Sequence, residues 1–434
     1  MNTLFHTISW PSRRLRGLAK LGLALASCAC ARSTPVTGTE FRAQSAEVPV
    51  YDGSVAINPA SRRLNAKWSI RFVADSATTD SVEFLLNAGL KVSRVSGQNV
   101  AGYVARPLDD RQGVTVRLKQ QLAPGSVGQI DLEYAGVPVF GSDSINGIAP
   151  TWVELGLDSH WFPVFAGYGK RIVAHVRVRL PPGWMMVASG NVVRDGKFLV
   201  LETRIPQTDI AFAASPVFRH VDAANSSVYW VHADTSTVKR VREVAESCRR
   251  YLNDRYGSSD SLPAVYVVLA PRAGSAYARR NYIVLTDAAS APAPALSGYI
   301  CHEFAHFWSL AANSSGPENW LNEGFAEYVS SRYVRATFGQ AAYDSTVARW
   351  RSMSVGQPPV WTPQSTRRPS AMVAYRKAPY LLSRLEERIG TDAMDRFLQR
   401  YMVERIRTTP RLLGVLQDVA GADNALWFRE ELVR

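Results

Sequence analysis

His302, Glu303 and His306 form the pattern His-Glu-x-x-His, and after sixteen intervening residues Glu323 stands within Trp320-Leu321-Asn322-Glu323-Gly324-Phe325-Ala326-Glu327-Tyr328. Two imidazoles four residues apart share one face of a helix, near enough to hold a single metal ion. Two His and one Glu make an open ligand set, because catalytic zinc takes three protein ligands and leaves one position to water, whereas structural sites are closed and rich in thiolates. An ion held in this way lowers the pKa of a bound water to about 7. Glu303 lies about a hundred degrees round the helix from His302, beside such a water instead of on the metal, where it can take the proton and later return it to a leaving group. The pattern implies hydrolysis with one Zn²⁺ per chain. Glu327, one helical turn beyond Glu323, has two open readings: an acceptor for the far nitrogen of a ligand His, fixing its tautomer, or a solvated helix carboxylate.

With its His-Glu-x-x-His, the stretch from Trp320 to Tyr328 resembles the gluzincin metallopeptidases, in particular the alanyl-aminopeptidase and leukotriene A4 hydrolase-like family. The segment between the second His and the Glu is shorter here than is usual in that family. Ala374-Tyr375-Arg376-Lys377-Ala378 is similar to the family's Tyr-x-Lys-Gly segment, which makes Tyr375 the counterpart of its catalytic tyrosine, with a phenol aimed at the developing oxyanion; Tyr380 is the competing candidate. The resemblance implies His302, His306 and Glu323 as zinc ligands, Glu303 as general base and then acid, and a peptide or protein substrate. One family signature, Gly-x-Met-Glu-Asn, whose glutamate holds the substrate's free amine, is missing. The corresponding Gly274-Ser275-Ala276-Tyr277-Ala278-Arg279-Arg280-Asn281 contains no acid, and its arginines would repel an ammonium and attract a carboxylate or simply face solvent. The expected function is an aminopeptidase-like zinc metallopeptidase. An endopeptidase or a non-peptidase zinc hydrolase on the same scaffold, or an inactive zinc-binding envelope lipoprotein, are the alternatives.

The elements that must position these residues follow from periodicity. The fold class expected is α+β multidomain: an N-terminal antiparallel β-sandwich over residues 49–222, then a thermolysin-like mixed α/β and helical zinc-peptidase domain over 223–434. In the first part polar and apolar residues alternate, as in Lys67-Ser69-Arg71 against Trp68-Ile70-Phe72, and turn residues such as Pro124-Gly125 separate the runs, the pattern of half-buried strands. In the second, Thr237 to Tyr256 reads as an amphipathic helix closed by Gly257, and Ala264–Leu269 and Tyr282–Thr286 read as strands. A zinc helix spans Leu296–Leu310, and a second helix, capped by Asn319 or Asn322, runs through Val329. Such a sheet offers an edge to an extended peptide. Thr409-Pro410 starts a late helix. The family's long C-terminal helical domain has no counterpart, which predicts a more open cleft.

At the amino terminus Arg13, Arg14, Arg16 and Lys20 precede the apolar run Leu21 to Ala26, with no acid before Glu40. Residues 1–27 read as a secretory signal of lipoprotein type, since Leu25-Ala26-Ser27-Cys28 resembles the bacterial lipobox. Cys28 would carry the lipid, and residues 28–48 would form a flexible stalk. This predicts a protein anchored by lipid in the bacterial cell envelope, at the outer membrane facing periplasm or exterior; cleavage near Ala31, giving a soluble secreted form, is the alternative. Removing residues 1–27 takes away four cations and no acids, from +13 to +9. Such a surface suits anionic head groups or acidic substrates, and no nucleic-acid motif accompanies it. Nothing in the pattern fixes an oligomeric state. Four cysteines in so long a chain do not make a disulfide framework. Cys248 continues the apolar face of its helix and reads as core, and Cys301 reads as a buried small residue.

Overall fold

The computed structural model describes residues 48–74, 79–141, 145–167 and 170–434. The signal segment, Cys28, Cys30 and all but the last residue of the expected stalk lie outside them. Alternation in the first part becomes strand geometry: Arg63–Val73 buries Leu64, Ala66, Trp68, Ile70 and Phe72 on one face. It pairs antiparallel with Val50–Asn58 on one side and Val127–Gly136 on the other. The resulting seven-stranded sheet shares an apolar core, including Trp68, Phe84, Trp161 and Phe212, with a four-stranded sheet and with the small sheet containing Trp152–Leu155 and Phe212–Ser215. The sandwich is not wholly antiparallel. Val50–Asn58 runs parallel to Ile172–Arg179, a pairing open to it because the long intervening chain supplies the crossover that parallel strands require.

A five-stranded sheet begins the second part, in the order Arg219–Asp222, Ser226–Trp230, Val265–Leu269, Tyr282–Leu285, Tyr277–Arg279. Its three inner strands are parallel and its two outer ones antiparallel to their neighbours. The first parallel crossover is helix α1, Thr235–Tyr256, whose first turn is closed by the Asp234 side chain accepting from the Thr237 N–H. Val187, Ala213 and Phe218 pack with Val268, Tyr277 and Tyr282 in one buried cluster. The edge strand Tyr277–Arg279 is thereby seated against the sandwich.

The remaining helices are α2 (Ala293–Ser309), α3 (Asn319–Phe338), α4 (Gln340–Ser354), α5 (Ala378–Ile389), α6 (Thr391–Glu404), α7 (Thr409–Ala420) and α8 (Ala422–Val433). A single π turn, Val373–Lys377, leads into α5. No helix among the described residues is long and apolar enough to cross a membrane. Helix α3 is buried on nearly every side from Asn319 to Val334, which is why its sequence lacks a clean amphipathic stripe. Neither Asn319 nor Asn322 caps it. The cap position is Glu318, and no side chain caps the helix there. The loop between α2 and α3 folds back over that helix end and claims the Asn322 amide, which accepts from the Ala312 N–H at 3.1 Å and donates to the Ala312 carbonyl and to Asn319.

Cys248 of α1 and Cys301 of α2 are joined in a disulfide with a Cα separation of 5.7 Å. This corrects their reading as separate buried thiols. Each is apolar in its own sequence context, and only the crossing of two helices brings them together. The bond closes a loop of 53 residues and ties the zinc-motif helix to α1 one residue before His302. Cys301→Ser should therefore lower stability by about 2–4 kcal/mol. Unfolding curves with and without reductant check this: reductant should destabilise the unsubstituted protein and leave the variant where it is, whereas identical curves for both proteins would mean no stabilising bond.

Candidate metal centre

Helix α2 carries Glu303 and the two imidazoles, and α3 packs beside it with Glu323. The His302 Nε2 lies 3.6 Å, and the His306 Nε2 3.4 Å, from the same oxygen, Glu323 Oε2. The imidazoles stand edge to face, with ring centroids 4.7 Å apart. One ligand atom from each of the three residues lies within 4.8 Å of the others, and all three side chains are at most 10% exposed. Glu323 Oε2 is buried without a hydrogen-bond partner, as is expected of an oxygen whose partner is a cation. The donor set of two imidazole nitrogens and a carboxylate fits zinc.

The electrostatics agree with that fit. Burial alone would lower the pKa of His302, but the neighbouring Glu323, Glu327 and Glu303 carboxylates raise it to about 9. Burial would raise Glu323, yet the two histidines hold it well below the ordinary carboxylate range. The cluster favours positive charge at its centre. Glu303 behaves differently, because burial raises its pKa and the nearby histidines and Arg279 only partly oppose this. A carboxyl whose pKa is raised by burial holds a proton more readily than an ordinary glutamate, as a group that passes protons must.

Glu327 leans on the other side of His302, with Oε2 4.0 Å from Nδ1. Its second oxygen accepts from Arg376 Nη1 at 2.8 Å, and the same nitrogen donates to the Tyr375 carbonyl at 2.7 Å. Glu327 is thus a partly buried, paired carboxylate beside a ligand-set imidazole, and the solvated reading does not hold. Tyr375 sits on the π turn with its ring stacked on His302, centroids 5.7 Å apart and planes inclined by 21°. Burial and the Glu323 and Glu303 carboxylates push its phenol well above the usual range, so it stays a proton donor at neutral pH. Tyr380, by contrast, faces the groove between α4 and α5 with Tyr343 and Arg384.

Several positioning contacts were not foreseen from the sequence. A Cβ at Gly324 would come within 2.8 Å of the Ala378 Cβ, so this glycine lets α3 approach the π turn that carries Tyr375. Glu318 accepts from Thr409 and from the Trp361 indole, and Tyr401 donates to the Leu321 carbonyl. These fix the start of α3. On the edge strand, Arg279 is paired with Asp209 and Asp158, and Arg272 clamps Glu154 at 2.6 and 2.9 Å. The acids absent from the local sequence come from the sandwich, about 70 to 120 residues away in the chain, a separation no local motif reveals.

Residues 273–411 match the peptidase family M1 domain. The chain is 30% identical over 117 residues to leucine aminopeptidase 2 of Sclerotinia sclerotiorum, covering 24% of this chain and 19% of that protein. It is 29% identical over the same length to a leukotriene A-4 hydrolase homolog of Botryotinia fuckeliana, covering 24% of this chain and 18% of that protein. The matched segment thus spans about a fifth of the length of these relatives. In structure the chain is similar to the M1 zinc metallopeptidase of Deinococcus radiodurans, with a TM-score of 0.70 at 19% identity, covering 89% of this chain and 94% of that one. The E323A mutant of the same protein, bound to a Tyr-Ser-Ala substrate, gives the same TM-score at 21% identity. The β-sheet domain followed by a helical domain is the M1 aminopeptidase fold.

Glu327→Gln should weaken zinc binding about tenfold to a hundredfold, the usual effect of losing a partner that orients a ligand His. Competition with a chromophoric chelator measures it. An affinity equal to that of the unsubstituted protein would show that Glu327 does not orient His302.

Proposed function

We propose that this chain, whose residues 273–411 carry a peptidase family M1 domain, is a zinc-dependent, aminopeptidase-like metallopeptidase that hydrolyses peptide bonds. The observation that carries the proposal is the convergence of both Nε2 atoms on one orphaned oxygen of Glu323, with Glu303 and Tyr375 flanking it. His302, His306 and Glu323 would hold the zinc ion. When bound, the metal polarises a substrate carbonyl and makes water a competent nucleophile at neutral pH.

The chain's own residues supply the rest. Glu303, held off the ligand set by its place on α2, accepts the proton of the attacking water and delivers it to the leaving amine. Tyr375 keeps its proton and donates a hydrogen bond to the oxygen that becomes negative in the transition state. Glu327, held by Arg376 and 4.0 Å from the otherwise unpartnered His302 Nδ1, is placed to orient that imidazole. The free edge of Tyr277–Arg279, paired on only one side, can accept an extended peptide as an added strand. Arginines engage Glu154 and one oxygen of Asp209 near that edge, and the other Asp209 oxygen is buried, so neither group is presented as an exposed free acid for an ammonium group. This favours weak dependence on a free N-terminus.

Lipid anchoring through Cys28 in a bacterial envelope belongs to the same proposal. Its support is the basic-then-apolar start of the chain and the disulfide, a bond that persists in oxidising compartments such as the periplasm.

Glu303→Gln should retain zinc and lose peptide hydrolysis, and Tyr375→Phe should lower turnover about a hundredfold to a thousandfold. Metal analysis beside a chromogenic peptide assay reads both. Hydrolysis surviving in Glu303→Gln, or in the chelated protein, would overturn the assignment. A library offered with free and with acetylated N-termini should show less than about a tenfold difference in kcat/KM, a gap worth under 1.4 kcal/mol; strict dependence on the free amine would require an acid site that the paired carboxylates do not provide.

A further inference from the structure

Phe307 follows Glu303 by four residues on α2, so it lies one turn further along the same face. Two guanidinium groups rest on its ring, Arg280 at 4.8 Å and Arg405 at 5.8 Å from the centroid. They arrive from different elements. Arg280 is the turn residue that ends the edge strand, and Arg405 closes α6. Arg405 is fixed by donating to the Phe307 carbonyl at 3.1 Å and to Asp260 at 2.7 Å. Among the described residues no carboxylate lies within ion-pair distance of Arg280; Asp158 and Asp209 are taken by its neighbour Arg279.

Two further arginines join this group. Burial and the proximity of Arg405 and Arg407 depress Arg171, and burial, Arg405 and Arg171 depress Arg280, with only Asp260 acting the other way. The backbone is also unusual. Arg280 and Arg405 adopt φ of 56° and 50°, the left-handed region where glycine or asparagine rests more easily. The turn and the helix end set these backbone angles, and the aromatic ring beneath the two guanidinium groups holds them in place.

We propose that Arg280 and Arg405, stacked on Phe307, form a subsite for a carboxylate side chain of the substrate, so that the enzyme prefers peptides with Asp or Glu close to the scissile bond. This rests on the metallopeptidase reading. The planar guanidinium fork matches a carboxylate in geometry as well as charge. The position, one turn from Glu303 at the end of the edge strand, is where a side chain of an extended peptide added to that strand would arrive.

The test uses zinc-loaded Glu303→Gln protein, which should bind peptides without cleaving them, and two fluorescent peptides of identical sequence except for Glu or Gln at the positions flanking the scissile bond. Fluorescence anisotropy should show the Glu peptide binding about tenfold more tightly at low salt, the worth of one charge-assisted contact at a partly exposed site. Adding Arg280→Gln should bring the ratio of the two affinities close to one, and Arg280→Asn, which suits the left-handed backbone, should do the same without risk to the turn. Equal affinities at the outset, no binding of either peptide, or a preference surviving both substitutions would overturn the subsite. Hydrolysis of the Gln peptide by the unsubstituted protein reports separately on the metallopeptidase reading. A protein that cleaves it but ignores charge loses only the subsite; one that binds the Glu peptide selectively yet cleaves neither loses only the hydrolase assignment.

Discussion

Three donor atoms forced into one dry volume set the terms for the rest of this molecule. Two imidazole nitrogens meet a single carboxylate oxygen from which water is excluded, and a buried ionised carboxylate without a partner is costly. The charges can be balanced in two ways. A proton can sit on a histidine, which is why His302 is raised to about 9, or a divalent cation can sit between all three groups. The second satisfies every donor at once. Glu303 shares the same burial but not the same contacts, and its opposite shift marks the boundary between holding a cation and handling protons.

Holding those atoms together against their mutual desolvation falls to contacts outside the cluster. Helix α2 is tied to α1 by the disulfide immediately before His302. Helix α3 is pinned at its start by Glu318, Asn322 and Tyr401, and further along by Glu386, which receives Tyr328, Arg332 and Arg335. The π turn is drawn in by Gly324 and locked by Arg376, so Tyr375 and the His302 brace are fixed by one residue pair. A one-residue insertion of this kind in a helix re-aims the side chains on it, and here it turns a tyrosine onto the imidazole.

The local parts of this arrangement were legible in the sequence. His302, His306 and Glu303 are related by helical spacing alone, the strand alternation from Lys67 to Phe72 by period two, and Glu323 and Tyr375 by resemblance to a known family. What escaped depended on contacts between distant segments. Cys248 and Cys301 each look apolar locally, and their bond exists only because α1 crosses α2. Asn322 resembles a helix cap, but the folded-back loop takes its amide. Val50–Asn58 alternates like any antiparallel strand, and periodicity cannot tell which neighbour it will run parallel to.

The same limit explains the edge strand, where the basic charge of the local sequence is largely neutralised in the folded protein. Read alone, residues 274–281 are purely basic. In the structure the sandwich delivers Glu154, Asp158 and Asp209 to that edge, and the two charges at Arg272 and Arg279 are spent on them. Neutralisation stops at the turn, because the carboxylates reach Arg279, and among the described residues Arg280 has no ion-pair partner and rests against Phe307. The charge at the end of the edge strand therefore changes within one residue, from paired at Arg279 to cationic at Arg280. That step in charge is built from both parts of the chain, because the pairing acids come from the sandwich against which Tyr277 and Tyr282 are seated through Ala213 and Phe218.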